Sequence, residues 1–268
     1  MVIDFHTHCF HDKIAENALS VLQHNAQRES AIGPKLKDLF ASMKAGNVEK
    51  AVVLNIATNL KQTKNVNDFA ISLLQYPNLI PFGSVHPADE NFMTELQRLK
   101  AHGIKGIKFH PHYQQTYICD PNYIKIVKVA KEMGFLISFH AGVDIGLRAV
   151  NYATPKDTET MLNAVADTPG GAIILAHMGG YEEFDEVEQR LLGRDVYLDT
   201  SFVFEAISET QLVRMIRAHG VERILFGTDS PWVQMQDYVA RIQALPLSEG
   251  EKQQILYENA ERLLAFIK

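Results

Sequence analysis

The sequence predicts a (β/α)8 TIM barrel, because eight short apolar runs alternate with amphipathic stretches along its whole length. Strict alternation of strand and helix indicates a parallel sheet with right-handed crossovers, and eight such units favour closure into a barrel over an open sheet. The chain has 268 residues, of which 46% are hydrophobic, and this suffices for one large core. We therefore expect a single domain over residues 1–268.

The predicted strands, in chain order, are Val2–Phe5, Ala51–Asn55, Ile80–Val85, Gly106–Phe109, Leu136–Phe139, Ala172–Leu175, Val196–Leu198 and Ile224–Phe226. The predicted helices are Pro34–Ala45, Val66–Gln75, Asn91–Ala101, Asn122–Glu132, Thr158–Ala166, Phe184–Leu192, Glu209–Ala218, Val233–Ala244 and Glu249–Phe266. The longest irregular insert, residues 9–33, follows the first strand. We expect it to carry a short helix and to cover part of the barrel mouth.

The composition excludes several classes of protein. A net charge of -6 with scattered Lys and Arg argues against a nucleic-acid binder, which usually has a basic face. Two cysteines, Cys9 and Cys119, are too few for a disulfide scaffold or a thiolate zinc site. No signal peptide is visible, and no apolar run approaches the roughly 20 residues that span a bilayer. We expect a cytoplasmic enzyme that acts on a small-molecule substrate and has no nucleic-acid or membrane partner. Whether it forms a homodimer is left open.

His6 and His8 follow the first predicted strand as a His-Thr-His motif. In an extended chain, residues two apart point to the same side, so their imidazoles converge from positions about 6–7 Å apart at Cα. That spacing suits the chelation of one metal ion. Taken alone, the motif also fits two polar residues on a loop.

Three further residues end other strands. His140 ends the fifth, His177 the sixth, and Asp229 follows the eighth. The carboxyl ends of barrel strands share one face, where barrel enzymes place their chemistry. Imidazoles and a carboxylate ligate zinc or a similar ion, and a bound water has its pKa lowered from about 15.7 toward about 7. We expect His177 to orient or deprotonate that water or to polarise a substrate oxygen, and Asp229 both to bind the metal and to accept a proton.

The motifs resemble those of the amidohydrolase superfamily, in the branch that contains aminocarboxymuconate-semialdehyde decarboxylase. They are Ile-Asp-Phe-His-Thr-His (3–8), Gly-Ile-Lys-Phe-His-Pro (106–111), Phe-His-Ala-Gly (139–142), Ala-His-Met-Gly-Gly (176–180), Leu-Phe-Gly-Thr-Asp-Ser-Pro (225–231) and a closing helix at 255–264. The resemblance implies a distorted barrel with one divalent ion, which we expect to be zinc, with manganese as the alternative. It places that ion on His6, His8, His140 and Asp229, and it gives the position of His177 to catalysis or to a second metal.

Lys108 and His110 are two residues apart at the end of the fourth predicted strand. Their side chains therefore point to the same side, and both can face the barrel mouth. We expect Lys108 to bind a substrate carboxylate and His110 to contact the substrate. In the alternatives, the lysine tip extends out of the barrel and His110 only braces a loop. His112 and His219 are predicted to be surface or loop residues.

The resemblance leaves the reaction open between two classes. We expect a hydrolase, in which metal-activated water attacks a lactone, amide or ester. The alternative is a lyase that removes carboxylate without oxidation from an unsaturated or aromatic acid. A third hypothesis, a metal-binding barrel without catalysis, is disfavoured by the intact ligand set beside His177.

Overall fold

The computed structural model describes residues 1–266, and the predicted domain of residues 1–268 ends two residues beyond that part. Within it, each of the eight predicted strands is present. They are β1 (Ile3–Thr7), β2 (Lys50–Leu54), β3 (Leu79–Phe82), β4 (Gly106–Phe109), β5 (Leu136–Phe139), β6 (Ile173–Leu175), β7 (Tyr197–Asp199) and β8 (Ile224–Leu225).

The strands are parallel and form two hydrogen-bonded groups, β1-β2-β3 and β4-β5-β6-β7-β8. Isolated bridges close the two seams between these groups. At the first seam the N–H of Lys108 donates to the carbonyl of Gly83 at 2.8 Å. At the second the N–H of His8 donates to the carbonyl of Ser230 at 2.7 Å. The result is a distorted (β/α)8 barrel, as predicted.

Helices follow the strands in the predicted order. They are α1 (Ala15–Ala26), α2 (Leu36–Ala45), α3 (Thr63–Leu73), α4 (Phe92–Ala101), α5 (Pro121–Glu132), α6 (Pro155–Ala164), α7 (Phe184–Arg190), α8 (Glu209–His219), α9 (Met235–Ala244), α10 (Glu249–Gln253) and α11 (Asn259–Phe266). A π-helical turn, Gln254–Glu258, joins the last two. No helix of residues 1–266 is long and apolar enough to cross a membrane.

Side-chain caps set where two of these helices begin. Asp120 accepts a hydrogen bond from a backbone N–H in the first turn of α5, and Pro121 occupies that first turn. Thr154 caps α6 in the same way, followed by Pro155. Helix α6 therefore begins before Thr158, the start predicted from hydrophobic periodicity.

The insert after β1 contains α1 and runs across loops at the carboxyl end of the barrel. The N–H of Ala31 donates to the carbonyl of Pro231, after β8, at 2.9 Å. The guanidinium of Arg28 lies 4.7 Å from the ring centroid of Phe202, after β7. The predicted helix is present, and these contacts place the insert at the barrel mouth.

One apolar cluster, which we call the floor, fills the interior of the barrel beneath the mouth. It comprises Ile3, Phe5, Val52, Leu54, Phe82, Leu136, Ile174 and Leu225, with Ala260, Leu263 and Leu264 of α11. Packing here is tight, because a Cβ on Gly106 would lie 2.4 Å from the ring of Phe82. A second, larger cluster joins the strands to the surrounding helices.

Candidate metal centre and active site

His6 and His8 present the same ring nitrogen to the barrel mouth. The Nδ1–H of His6 donates to Asp199 Oδ2 at 2.9 Å, and the Nδ1–H of His8 donates to the carbonyl of Leu54 at 2.8 Å. A neutral imidazole carries one N–H, so Nε2 of each ring keeps a free lone pair. Such partners on Nδ1 are usual for histidines that ligate a metal through Nε2.

Asp229 brings a carboxylate oxygen against these two nitrogens. Its Oδ1 lies 3.3 Å from His6 Nε2 and 3.1 Å from His8 Nε2. Three lone-pair atoms that face one another without a shared proton repel, and a cation between them removes the repulsion. Ligands that lie about 2.0–2.2 Å from one ion are about 3.0–3.6 Å apart. His6, His8 and Asp229, which we call the metal triad, therefore fit a divalent metal ion.

Asp4 holds the strands that carry the metal triad. Its carboxylate accepts hydrogen bonds from the N–H of His6 at 3.0 Å and from the N–H and hydroxyl of Thr228 at 3.1 and 2.5 Å. Asp229 follows with a left-handed φ of 66°, a conformation that costs a non-glycine residue about 1–3 kcal/mol. Its N–H donates to the carbonyl of His6 at 2.8 Å, which keeps the strained residue beside its partners.

Burial sets the protonation states of the metal triad. Desolvation, with the neighbouring Lys108, lowers the pKa of His6 to about 4, so the imidazole is neutral at pH 7. Burial alone would raise the pKa of Asp229, but attraction to His6 outweighs it and lowers that pKa. A neutral imidazole and an ionised carboxylate are the forms that bind metal.

Asp199, at the end of β7, is a site residue that the sequence reasoning missed. While its Oδ2 orients His6, its Oδ1 accepts from the N–H of His177 at 3.1 Å and from the N–H of Ser201 at 3.0 Å. The Ser201 hydroxyl donates to the same oxygen. The available signal was an acidic residue at the carboxyl end of a barrel strand, the rule that identified Asp229.

His177 lies beside the metal triad, with its ring centroid 5.3 Å from that of His6. The carbonyl of Ser201 can only accept, so the 2.8 Å contact to His177 Nδ1 places the proton on Nδ1. Nε2 then accepts from His140 Nδ1 at 3.0 Å. His177 therefore stands between the metal triad and His140, and its catalytic role stays a prediction.

His140 belongs to a second group of candidate ligands. Its ligand atom and those of His110 and Asp144 lie within 4.8 Å of one another, as those of the metal triad do among themselves. We call His110, His140 and Asp144 the second cluster. The structure brings His6, His8 and Asp229 together as predicted, but groups His140 differently. That His140 coordinates the same ion as the metal triad stays a prediction.

Lys108 and His110 both face the interior of the barrel mouth. Lys108 is 1% exposed, which excludes the alternative in which its amine extends into solvent, and its Nζ lies 3.4 Å from Ser138 Oγ. Burial lowers its pKa to about 8, against the attraction of Asp199 and Asp229. His110 is also buried, and its pKa lies well below the usual value, mainly through desolvation. Their substrate-binding roles stay predictions.

The expectation that His112 is a surface or loop residue is wrong about its exposure, since the side chain is 2% exposed. Gln114 folds the turn after β4 into the barrel mouth, with its amide donating to the carbonyls of Ala57 at 2.9 Å and Val85 at 3.0 Å. His219 is buried as well, on α8, with Nε2 2.9 Å from the carbonyl of Val196. Both histidines are buried through contacts between residues that are distant in sequence.

The family model described as Amidohydrolase matches residues 3–266. The chain belongs to the amidohydrolase family. The predicted family and fold are thereby confirmed, and the protein is an enzyme of this family. No curated protein matches the chain.

Solved structures share the fold of this amidohydrolase-family protein at low sequence identity. An uncharacterised TIM-barrel protein from Bordetella bronchiseptica is 19% identical, with 99% of each chain covered and a TM-score of 0.77. A 2,6-dihydroxybenzoate decarboxylase from Rhizobium is 18% identical, with 98% of each chain covered and a TM-score of 0.74. A dihydroxybenzoic acid decarboxylase from Polaromonas sp. JS666, with bound manganese and the inhibitor 2-nitroresorcinol, is 16% identical, covering 100% of this chain and 97% of that one, with a TM-score of 0.74.

Proposed function

We propose that this protein is a divalent-metal-dependent lyase that removes carbon dioxide, without oxidation, from a planar aromatic or unsaturated carboxylic acid. The observation that carries this choice is the set of aromatic rings around the metal centre. The Tyr181 centroid lies 6.0 Å from that of His177 and 5.7 Å from that of Phe202. On the side of His110, the Tyr113 centroid lies 4.1 Å away. Such walls suit a flat conjugated substrate.

The comparisons support the lyase over the hydrolase that the sequence favoured. Two of the similar structures are decarboxylases of dihydroxybenzoates, and one holds manganese together with 2-nitroresorcinol. Activity on dihydroxybenzoates is a property of those proteins. That this chain acts on a related class of acid is part of our proposal. The bound manganese also supports manganese, beside zinc, as the ion of the metal triad.

Decarboxylation breaks the bond between the carboxylate and the adjacent carbon, releases carbon dioxide and leaves an electron pair that takes up one proton. His6, His8 and Asp229 would hold a divalent ion, whose positive charge would orient the substrate and stabilise developing negative charge. His177 holds Nδ1 against Ser201 and directs Nε2 toward His140, whose Nδ1–H reaches it at 3.0 Å. We assign proton delivery to this pair of imidazoles.

Lys108 is the cation best placed to balance the charge of a substrate carboxylate. Arg28 pairs with Glu205 at 3.1 Å, and Arg148 pairs with Glu182 at 2.7 Å, so both guanidiniums already have carboxylate partners near the surface. Lys108 lies inside the barrel. Burial lowers the pKa of its amine, and the carboxylates of Asp199 and Asp229 act in the opposite direction. A buried ammonium acts there as a compact positive charge.

The test is a substrate panel for manganese-loaded and zinc-loaded enzyme. Dihydroxybenzoates and other unsaturated acids labelled with ¹³C in the carboxylate are incubated, and labelled carbon dioxide and the decarboxylated product are measured. We expect equimolar amounts, and in D2O one deuterium at the carbon that lost the carboxylate. Hydrolysis of lactones, amides or esters in the same panel, without carbon dioxide from any acid, would overturn the proposal.

A hydrolase is the second candidate, and the composition of the metal triad favours it. An ion held by three protein ligands would keep a position for water, as catalytic zinc sites do. Asp229 lies 3.3 Å from His6 Nε2 and the His177 ring lies 5.3 Å from that of His6, so either would be placed to take up a proton from that water. Turnover of a lactone, amide or ester, with balanced uptake of one water, is the outcome that supports this candidate.

A further inference from the structure

We propose that His112 is a substrate-specificity residue, which hydrogen bonds to a hydroxyl substituent of the acid that the enzyme binds. His112 follows β4 on a loop at the carboxyl end of the barrel, and its side chain is 2% exposed. The inference rests on the proposed function only in taking the substrate to be an aromatic or unsaturated acid. It concerns a part of that acid remote from the carboxylate that leaves.

Both ring nitrogens of His112 are buried without a hydrogen-bond partner in the described part of the chain. The other buried histidines of residues 1–266 each have a partner on at least one ring nitrogen. They are His6, His110, His140, His177 and His219. A buried polar atom without a partner destabilises the folded protein, because it gives up water and gains no bond in return. Such a group needs a functional explanation, and binding of a ligand supplies one.

Two other side chains show how a structural polar group is buried in this protein. Gln114, in the same turn as His112, donates its amide to two backbone carbonyls at 2.9 and 3.0 Å, and its oxygen accepts from a tyrosine hydroxyl. His219 is paired on both ring nitrogens. The N–H of Gly193 donates to its Nδ1 at 3.2 Å, and its Nε2 lies 2.9 Å from the carbonyl of Val196. His112 has neither kind of contact, so a structural role does not explain it.

The neighbours of His112 place it between the metal centre and the surface. On one side, its ring centroid lies 5.2 Å from that of His140 and 6.0 Å from that of His110. On the other side, it lies 5.7 Å from that of Tyr152, which is half-buried. The ring of Tyr152 in turn lies 5.0 Å from that of Tyr117, which is 48% exposed. His112 therefore lies where the loops after β4 and β5 meet at the barrel mouth.

The place of His112 in the barrel determines which end of a substrate it meets. The metal triad is carried by β1 and β8, whereas His112 follows β4, and in a closed barrel of eight strands β4 lies opposite β8. Lys108, inside the barrel, is the cation we assign to the substrate carboxylate. An acid with its carboxylate between Lys108 and the metal triad extends its other end toward the loops, where His112 lies.

A hydroxyl is the substituent that fits the chemistry of His112. A buried imidazole that contacts no carboxylate is neutral at pH 7, since an unpaired charge is costly to bury. The neutral ring offers one N–H and one lone pair. A hydroxyl can accept from the N–H or donate to the lone pair, whereas a carboxylate can only accept. His112 therefore suits a neutral hydroxyl, and Lys108 suits the charged end of the acid.

The experiment compares the wild type with His112→Leu and His112→Phe, each loaded with manganese. The probes are the isomeric dihydroxybenzoates and 2-hydroxybenzoate, which lacks the second hydroxyl. Affinity is measured by calorimetry and kcat/KM by release of carbon dioxide. The wild type should prefer at least one dihydroxybenzoate over 2-hydroxybenzoate by about tenfold, the size of one hydrogen bond to a buried group. Both variants should lose that preference.

Two further variants separate recognition from a structural role. His112→Gln keeps a donor and an acceptor and should recover part of the preference. His219→Leu removes the paired histidine on α8, so it should lower the unfolding midpoint in denaturant and leave the preference unchanged. At least one of His112→Leu and His112→Phe should unfold at a denaturant concentration no lower than the wild type does, because neither substitution breaks a hydrogen bond.

The wild-type preference in folded His112→Leu and His112→Phe would overturn the inference, as would a wild type that prefers no dihydroxybenzoate. A lower unfolding midpoint in both apolar variants would show that His112 is structural, and would also overturn it. Failure of the proposed function gives a different result. Binding with the expected preference, lost in the His112 variants, but without carbon dioxide from any acid, supports the role of His112 and contradicts the lyase.

Discussion

The floor and the mouth of the barrel are built from the same strands but have opposite chemistry. Strand β5 shows this within a few residues, since Leu136 belongs to the floor, Ser138 contacts Lys108, and His140 follows at the mouth. The floor is an apolar cluster with α11 packed against it. The difference indicates that this fold separates stability, in the apolar interior of the barrel, from chemistry at the carboxyl-end mouth.

The mouth buries groups that an ordinary core would exclude. Asp4, Lys108 and Asp199 are at most 1% exposed, and the side chain of Asp229 is 13% exposed. Burying a charge is costly unless it is paired or binds a metal. The apolar burial of the floor offsets part of this cost. The following substitutions test this division, in order of decreasing effect.

The largest effect is expected from changing His6 and His8 together to Ala. Removing two of three ligands should abolish the tightly bound ion and reduce turnover below detection, because both imidazoles donate to one position. Elemental analysis and the carbon dioxide assay measure the two losses. His24→Ala on the exposed side of α1 is the control. A metal-free double variant with wild-type turnover would refute the metal triad.

His177→Ala should lower kcat by about 10²–10⁴-fold while the tightly bound ion remains. The reason is that His177 contacts His140 and Ser201 but is not one of the metal triad. Asp229→Asn should differ, weakening metal binding and turnover together, since it removes a charged ligand. Metal content and kcat are measured on both variants. Loss of half the metal from a two-ion His177→Ala enzyme would show that His177 is itself a ligand.

Phe82→Ala should act on the floor alone. Phe82 is fully buried, and truncation of a buried phenylalanine costs about 3–5 kcal/mol of unfolding free energy. Denaturant unfolding measures that loss, and the number of bound ions per folded chain should be unchanged. Met93→Ala, at a position 40% exposed on α4, should change stability by no more than about 0.5 kcal/mol. Loss of metal in folded Phe82→Ala would show that floor and mouth are coupled.

The smallest effect is expected from Asp199→Asn, which weakens the hydrogen bond that orients His6 without removing a ligand. Such partners typically change metal affinity by about 10–100-fold. Calorimetry with manganese measures the change, with the exposed Asp195→Asn as control. Equal affinity in the two variants would mean that Asp199 serves only to hold the loops of β6 and β7.

The sequence was sufficient to predict the barrel and the grouping of His6, His8 and Asp229. Strand patterns are local, and parallel strands bring their carboxyl ends to one face whatever the loops do. The role of Asp199 was missed because it depends on one carboxylate reaching His6 and Ser201 at once. The second cluster was missed because Asp144 lies on a loop, whose path depends on long-range backbone pairing.

The most direct test of the metal centre is anomalous diffraction from crystals of the wild-type protein grown with manganese. We predict a peak about 2.0–2.3 Å from His6 Nε2, His8 Nε2 and an Asp229 carboxylate oxygen. Such a peak would join the three facing lone-pair atoms through one ion. Active crystals with no anomalous density among these atoms would contradict the account.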